Sequence, residues 1–254
     1  MIATGYNLPF RFTHSDGPLS GQPVAIRIRT GAQDTDGRVV GAMRLFARLA
    51  MTGALGGDHA SPQPSFRIAM QPTSSDQDLR FQVENCRIAA EAWVVLCHLL
   101  LKVHQSVPIM AVDVLVQGDT APVPLMASAE LKSTYPGVAL MLPFVLDDLE
   151  PEGGGYSFFI TLKSPLAPDN EATLNAALEV WLQAVLNGGY ALAPLDPAAC
   201  YVEPYGEGVD AYETTIEWAV FKLRADPAGA INGLMNQLAR FHFRCQAIHA
   251  LEIG

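Results

Sequence analysis

One order of strand and helix signals is written twice along this chain of 254 residues, which favours two like units over one irregular domain. The second half reads more clearly. Tyr156 to Lys163 (YSFFITLK) is aromatic and β-branched, lies between Gly153-Gly154-Gly155 and Pro165, and reads as a strand. Asp169 or Asn170 is then placed to cap a helix in which Leu174, Leu178, Trp181, Leu182 and Val185 recur at helical spacing. Gly188-Gly189 stops that helix. Cys200 to Tyr205 reads as a short edge strand limited by Pro204, and Glu213 to Leu223 (ETTIEWAVFKL) as a long strand. Asp226-Pro227 opens a helix that runs to about Arg244, with proline at the first helical position. Ala247 to Ile253 closes the chain as a strand.

The first half repeats this order. Pro23 to Thr30 (PVAIRIRT) is a strand, Arg38 to Ala54 a helix ending at Gly56-Gly57, and Ser65 to Met70 (SFRIAM) a strand. Leu79 to Gln105 reads as one long helix started near Ser75 or Asp76, which places Cys86 and Cys97 on the same helix. Pro108 to Val116 (PIMAVDVLV) is the strand that follows. Its Ala111-Val112-Asp113-Val114 answers to Ala250-Leu251-Glu252-Ile253, and both first helices end in Gly-Gly.

With the short second strand included, each unit is βαββαβ. The expected fold class is therefore α+β, with tandem, duplicated ferredoxin-like units whose antiparallel sheets each carry helices on one face. The expected organisation is a first unit with an N-terminal extension over 1–116, a connecting segment over 117–155 and a second unit over 156–254. Within the connection, Val138 to Leu146 (VALMLPFVL) is apolar enough to pack on the core as a strap or an extra strand pair.

Strand alternation then sorts side chains between the two faces of each sheet. In the first unit Val24, Ile26, Ile28, Phe66, Ile68, Met70, Met110, Val112 and Val114 are expected under the helices, leaving Arg27, Arg29, Arg67 and Asp113 on the open face. In the second, Phe158, Ile160, Leu162, Ile216, Trp218, Val220 and Leu251 are expected under the helices. Its open face receives Thr161, Lys163, Glu217 and Glu252, with Glu213 further along. One open face is thus mainly basic and the other mainly acidic. If the two opposed each other, within a chain or across a dimer, they would line a polar cleft in which the arginines could grip a carboxylate or phosphate. Solvated sheet faces would carry the same kinds of residue without any ligand.

Composition narrows the partners. Only 17% of residues are charged, against about 25% in ordinary soluble domains, so part of the surface is expected to be covered by protein, as in a homo-oligomer or larger assembly. A compact, alanine-rich chain would show the same deficit. A net charge of −10, with no local run of Lys or Arg to offset it, argues against nucleic acid and anionic membrane and suits a basic protein partner. Met1 to Pro18 lacks the pattern of a signal peptide, and Ala92 to Leu101 is too short to span a bilayer. None of the four cysteines lies in a C-x-x-C pair, so reduced thiols and a cytoplasmic location are expected.

No recognised catalytic motif occurs. There is no G-x-S-x-G, H-E-x-x-H or G-x-x-x-x-G-K-[ST], and Gly53 to Gly57 follows a helix where a phosphate loop would precede one. His98 and His104 are six apart and do not share a helix face. His242, Cys245 and His249 come nearest to metal-ligand spacing, yet strand parity turns His249 toward the helices and no fourth ligand is at hand, so no metal and no cofactor are expected. Trp93, Trp181 and Trp218 fall at core positions. Asp147, Asp148 and Glu150 form an acidic turn. The expectation is a non-catalytic binding or assembly protein that self-associates and engages a basic partner. The rival is an enzyme or carrier that holds an anionic ligand with Arg27, Arg29, Arg67, Asp113, Lys163, Glu217 and Glu252.

Overall fold

The structure, a computed structural model, describes residues 6–14, 22–56, 66–71, 77–89, 91–116, 130–131, 142–148, 155–190, 203–205, 214–221 and 227–254. In chain order these form β1 (Tyr6–Asn7), β2 (Arg11–His14), β3 (Gln22–Thr30), α1 (Arg38–Thr52), β4 (Phe66–Gln71), β5 (Asp78–Cys86), α2 (Ala92–His104) and β6 (Ile109–Val116). After β7 (Glu130–Leu131) and β8 (Val145–Asp148) come β9 (Gly155–Leu162), α3 (Pro168–Leu186), β10 (Glu203–Tyr205), β11 (Thr215–Phe221), α4 (Pro227–Arg244) and β12 (Ile248–Ile253).

The duplication is visible in the strand order. The first sheet runs β2-β6-β3-β5-β4 and the second β8-β12-β9-β11-β10. Without their outer strands β2 and β8, both follow the order fourth, first, third, second of a βαββαβ unit, which is the ferredoxin-like arrangement. Both outer strands lie parallel to the last strand of their unit, whereas the pairs inside each unit are antiparallel. Two smaller features also repeat. At the end of α2, His104 Nδ1 accepts the Ile109 backbone N–H at 2.9 Å, and at the end of α4, His242 Nδ1 accepts that of Ile248 at 3.1 Å. Phe10, just before β2, rests on His104 at 6.0 Å between ring centroids, and Phe144, just before β8, rests on His242 at 6.2 Å.

Local chemistry explains the elements. In β3, Val24, Ile26 and Ile28 are fully buried while Ala25, Arg27 and Arg29 are only half-buried, the alternation of a strand with one covered face. The Asp34 carboxylate accepts the backbone N–H groups of Arg38 and Val39 at 2.8 and 2.9 Å, which satisfies two orphan donors at the start of α1. Gly53, at φ 91°, ends that helix in the left-handed region. The helix after β9 begins at Pro168 behind Ala167, without the side-chain cap expected of Asp169 or Asn170.

The two helical layers pack on each other. α1 contacts α2 in its own unit and α3 and α4 of the other. Lys102 Nζ in α2 donates to the Leu186 carbonyl of α3 at 2.6 Å, and Gln237 in α4 donates to Thr52 of α1 at 2.6 Å. Inside the second unit, Trp181 Nε1 donates to the Ala230 carbonyl at 2.7 Å. One continuous apolar core runs from Val24 and Ile26 through Phe46, Leu96 and Trp181 to Phe158 and Leu251. The sheets are the two outer layers, and their open faces point away from each other. Among the described residues no cleft forms between the open faces, because the helices occupy the space between the sheets.

Several expectations need correcting. Residues 78–86 are the central strand β5 rather than the start of a long helix, so Cys86 and Cys97 lie on different elements. Met110 is 61% exposed, because the pairing of β3 with β6 shifts register between Arg29 and Thr30 and the parity fails there. His249 is exposed for the same kind of reason, a register shift between Ile248 and Ala250. Part of the apolar connection forms β8; residues 138–141, and the side chains of Phe66, Ile68, Met70, Trp218 and Val220, lie outside the described set.

Gly233 in α4 lies against the buried ring and hydroxyl of Tyr190, where an added Cβ would overlap them. Gly233→Ala is expected to destabilise the fold by about 1–3 kcal/mol through overpacking, read as a lower urea midpoint at unchanged slope. An unaltered midpoint would mean that Tyr190 is free to shift.

Candidate functional site

The open face of the first sheet carries a network of arginines and aspartates. Asp78 at the start of β5 takes a two-toothed grip from Arg27, with Nε and Nη2 both at 2.7 Å, and a further bond from Arg80 at 3.2 Å. These hydrogen bonds, led by that from Arg27, hold the Asp78 carboxyl down at about 2. Asp113 on β6 is buried and accepts from Thr13 at 2.6 Å and from Arg11 and Arg29 at 3.3 Å each. Four guanidinium groups thus surround two carboxylates, and Glu84 is a further, exposed carboxylate along β5 on the same face.

Register aligns this network with its counterpart in the second sheet. Thr13, Asp113, Arg27 and Arg80 form a row of cross-strand neighbours over β2-β6-β3-β5. The equivalent row over β8-β12-β9-β11 is Asp147, Glu252, Phe159 and Glu217. Asp113 and Glu252 therefore occupy the same place in the duplicated fold. In the first unit the acid is buried among cations. In the second it is exposed, beside the exposed Asp147 and with Phe159 where the first unit has Arg27. Like charges in neighbouring strand positions repel.

The seven residues expected to share a ligand site are divided between opposite sides of the molecule. Arg27, Arg29 and Asp113 meet in the first network, while Lys163 and Glu252 lie exposed on the second unit. Arg67 lies in β4 at a register shift between Phe66 and Ile68, and Glu217 lies opposite Phe159; the side chains of both are outside the described set.

Sequence reasoning missed a groove between the units. It has a volume of about 690 Å³ and is lined by Arg38, Arg44, Arg48 and Lys102, with Glu179 as the one carboxylate in its wall. Arg38 is engaged by Asp36 at 3.2 Å and by Ser106. Among the described residues Arg44 and Arg48 make no ion pair, although they sit one turn apart on the exposed side of α1, where like charges disfavour the helix by roughly 0.2–0.5 kcal/mol. The signal was legible: the fifteen residues of α1 hold three arginines and no acidic residue.

Below this groove, α1 and α3 line a second compartment of about 500 Å³, and Arg48 borders both. Its floor is made by Ala172, Ala176 and Ala177, with Met51 at the lip and Gln237, Arg240 and Arg244 at the α4 side.

Burial pushes the Cys97 and Cys245 thiols up, away from nucleophilic range. His104 and His242 hold helix–strand junctions. No group of three or more metal-ligating side chains occurs among the described residues, and among them no helix is long and apolar enough to cross a membrane.

No known family matches the chain, and no curated protein does. Among solved structures it is similar to Cas6 in a product complex, at 15% identity and a TM-score of 0.22, covering 87% of this chain and 94% of that one. A conserved protein from Enterococcus faecalis V583 shares 8% identity at a TM-score of 0.16, over 100% of this chain and 98% of the other. Likenesses this loose carry no inference about function, and the fold assignment rests on strand order and register.

Burial holds the His98 imidazole down at about 4, against a backbone hydrogen bond to Gly189 that works the other way. Burial and the Lys163 charge lower His242 as well. The unfolded chain therefore binds protons that the folded one refuses. Stability is expected to be level above pH 6.5 and to fall as the pH drops toward 4, with His98 contributing roughly 3 kcal/mol of the loss. Urea titrations at several pH values check this, and His98→Leu should flatten the slope.

Proposed function

We propose that the chain is a non-catalytic assembly protein that self-associates head to tail, the cationic open face of the first unit meeting the acidic open face of the second. The observation that carries this reading is the pair of aligned rows, Thr13-Asp113-Arg27-Arg80 and Asp147-Glu252-Phe159-Glu217, presented on opposite sides of one molecule. Acidic residues lined up across neighbouring strands raise the energy of the isolated molecule, and a cationic surface relieves it. The two faces differ, so the contact is heterologous: it closes into a ring or continues as a filament. The low charged fraction of 17% agrees with a surface partly spent on such contacts. A second reading, a basic partner of another kind on the acidic face, is supported by the same uncompensated row.

Sedimentation velocity provides the test. Complexes larger than one chain are expected at low ionic strength and should dissociate in roughly 0.5–1 M salt, where the Debye length shrinks toward 3 Å. Glu252→Arg, at an exposed position, should weaken association by at least about tenfold, as should Arg27→Glu, and the two together should restore it. A monomer under all conditions, or assembly indifferent to both substitutions, would refute the proposal.

A further inference from the structure

The two compartments along α1 and α3 differ in chemistry in a way that suits one kind of ligand. The helices run antiparallel, since the early part of α1 faces the end of α3 in one compartment and the end of α1 faces the start of α3 in the other. The first compartment offers Arg44 and Arg48 without carboxylate partners. It also offers Lys102, whose ammonium gives one proton to the Leu186 carbonyl and keeps two others. Concave walls concentrate the field of these cations, so a ligand bearing several negative charges is drawn there even to a chain of net charge −10.

The second compartment sets a run of alanines on α3 against Phe241 and the arginines Arg240 and Arg244 of α4. Three alanines on α3 leave a smooth floor, and Met51, 52% exposed, stands at its lip as a polarizable cover. Gln237 lines the same space and is only 2% exposed. Its amide nitrogen bonds Thr52, and its Oε1 is buried with no donor. Were the amide turned over, its nitrogen would be the atom left over instead. Either way one buried polar group beside the compartment lacks a partner, at a cost of about 1–3 kcal/mol.

We infer that this furrow binds a nucleoside polyphosphate, with its phosphates among Arg44, Arg48 and Lys102 and its base on the alanine floor, hydrogen-bonded to Gln237. The dimensions agree. Arg44 and Thr52 are eight residues apart, about 12 Å along the helix, and the compartments of about 690 and 500 Å³ meet at Arg48. A planar ring with polar edges meets both demands of the second compartment, flatness and a hydrogen bond, which an alkyl chain does not.

Isothermal titration calorimetry of the full chain in magnesium-free buffer tests this, with ATP, inorganic tripolyphosphate and adenosine as probes. ATP should bind at least about tenfold more tightly than tripolyphosphate, and adenosine weakest of the three. Arg44→Glu with Arg48→Glu should weaken ATP and tripolyphosphate together. Ala176→Trp, which fills the flat compartment from an exposed helix position, should bring ATP down to the level of tripolyphosphate and leave tripolyphosphate unchanged. Neither variant should alter the thermal midpoint without ligand or the sedimentation behaviour, so this result stands apart from that of the sheet-face test. ATP binding no tighter than tripolyphosphate, unaffected by either variant, or absent at millimolar concentration would overturn the inference.

Discussion

The contact between the two helical layers is the constraint on which the rest of this molecule depends. A ferredoxin-like sheet buries one face under its own helices, and those helices still present an outer surface that must be covered or wetted. Here each unit covers the other. Leu99 and Val95 of α2 meet the backbone of Gly189, where a side chain would crowd them, and Arg240 of α4 lies over Gly53. The absence of Cβ atoms at these two points lets helix ends of one unit sit directly on the other. The consequence reaches the surface. With the helices spent on each other, what remains outward is the open sheet faces and the furrows between helices.

Duplication also gives an internal control. Features present in both units are those the fold needs: the histidine at each helix–strand junction, the phenylalanine laid on it and the outer parallel strand. Features present in one unit are free to serve something else. Arg27 against Phe159, and Asp113 buried against Glu252 exposed, belong to that second class. So does the charge on the first helices, since α1 carries only basic residues where α3 has Asp169, Glu171 and Glu179. The difference places a cationic wall on one side of the furrow and, on the other, a helix whose charged residues are all acidic.

Much of this was legible in the sequence. The βαββαβ order, the buried faces of β3 and β9 and the start of α4 at Pro227 follow from alternation and from proline placement. The misreading of residues 78–86 has a plain cause. Ala92 to Leu101 is buried all round, so it shows no helical stripe, and the apolar run joins the strand before it without an evident break. Leu79, Phe81 and Val83 nevertheless alternate with Arg80 and Gln82 in period two, which is the strand signal. Met110 and His249 were placed by a parity that is valid only while pairing is unbroken. Both sit at register shifts, and a single extra residue reverses every face beyond it.

Which helix surface meets another unit is the part that one chain's periodicity does not encode. An apolar stripe on α1 looks the same whether it covers its own sheet or α3, and the two open faces look equally able to oppose or to diverge. Charge resolves the matter better than hydrophobicity does. Had the open faces met inside the chain, Glu252 and Asp147 would have had arginines opposite them, and the pairing of Arg27 with Asp78 would have been redundant. Instead Asp78 and Asp113 of the first unit are each shared by two arginines, while among the described residues Asp147 and Glu252 of the second make no ion pair. A network that is self-contained on one sheet and uncompensated on the other is what outward-facing sheets permit, and it follows from putting the helices in the middle.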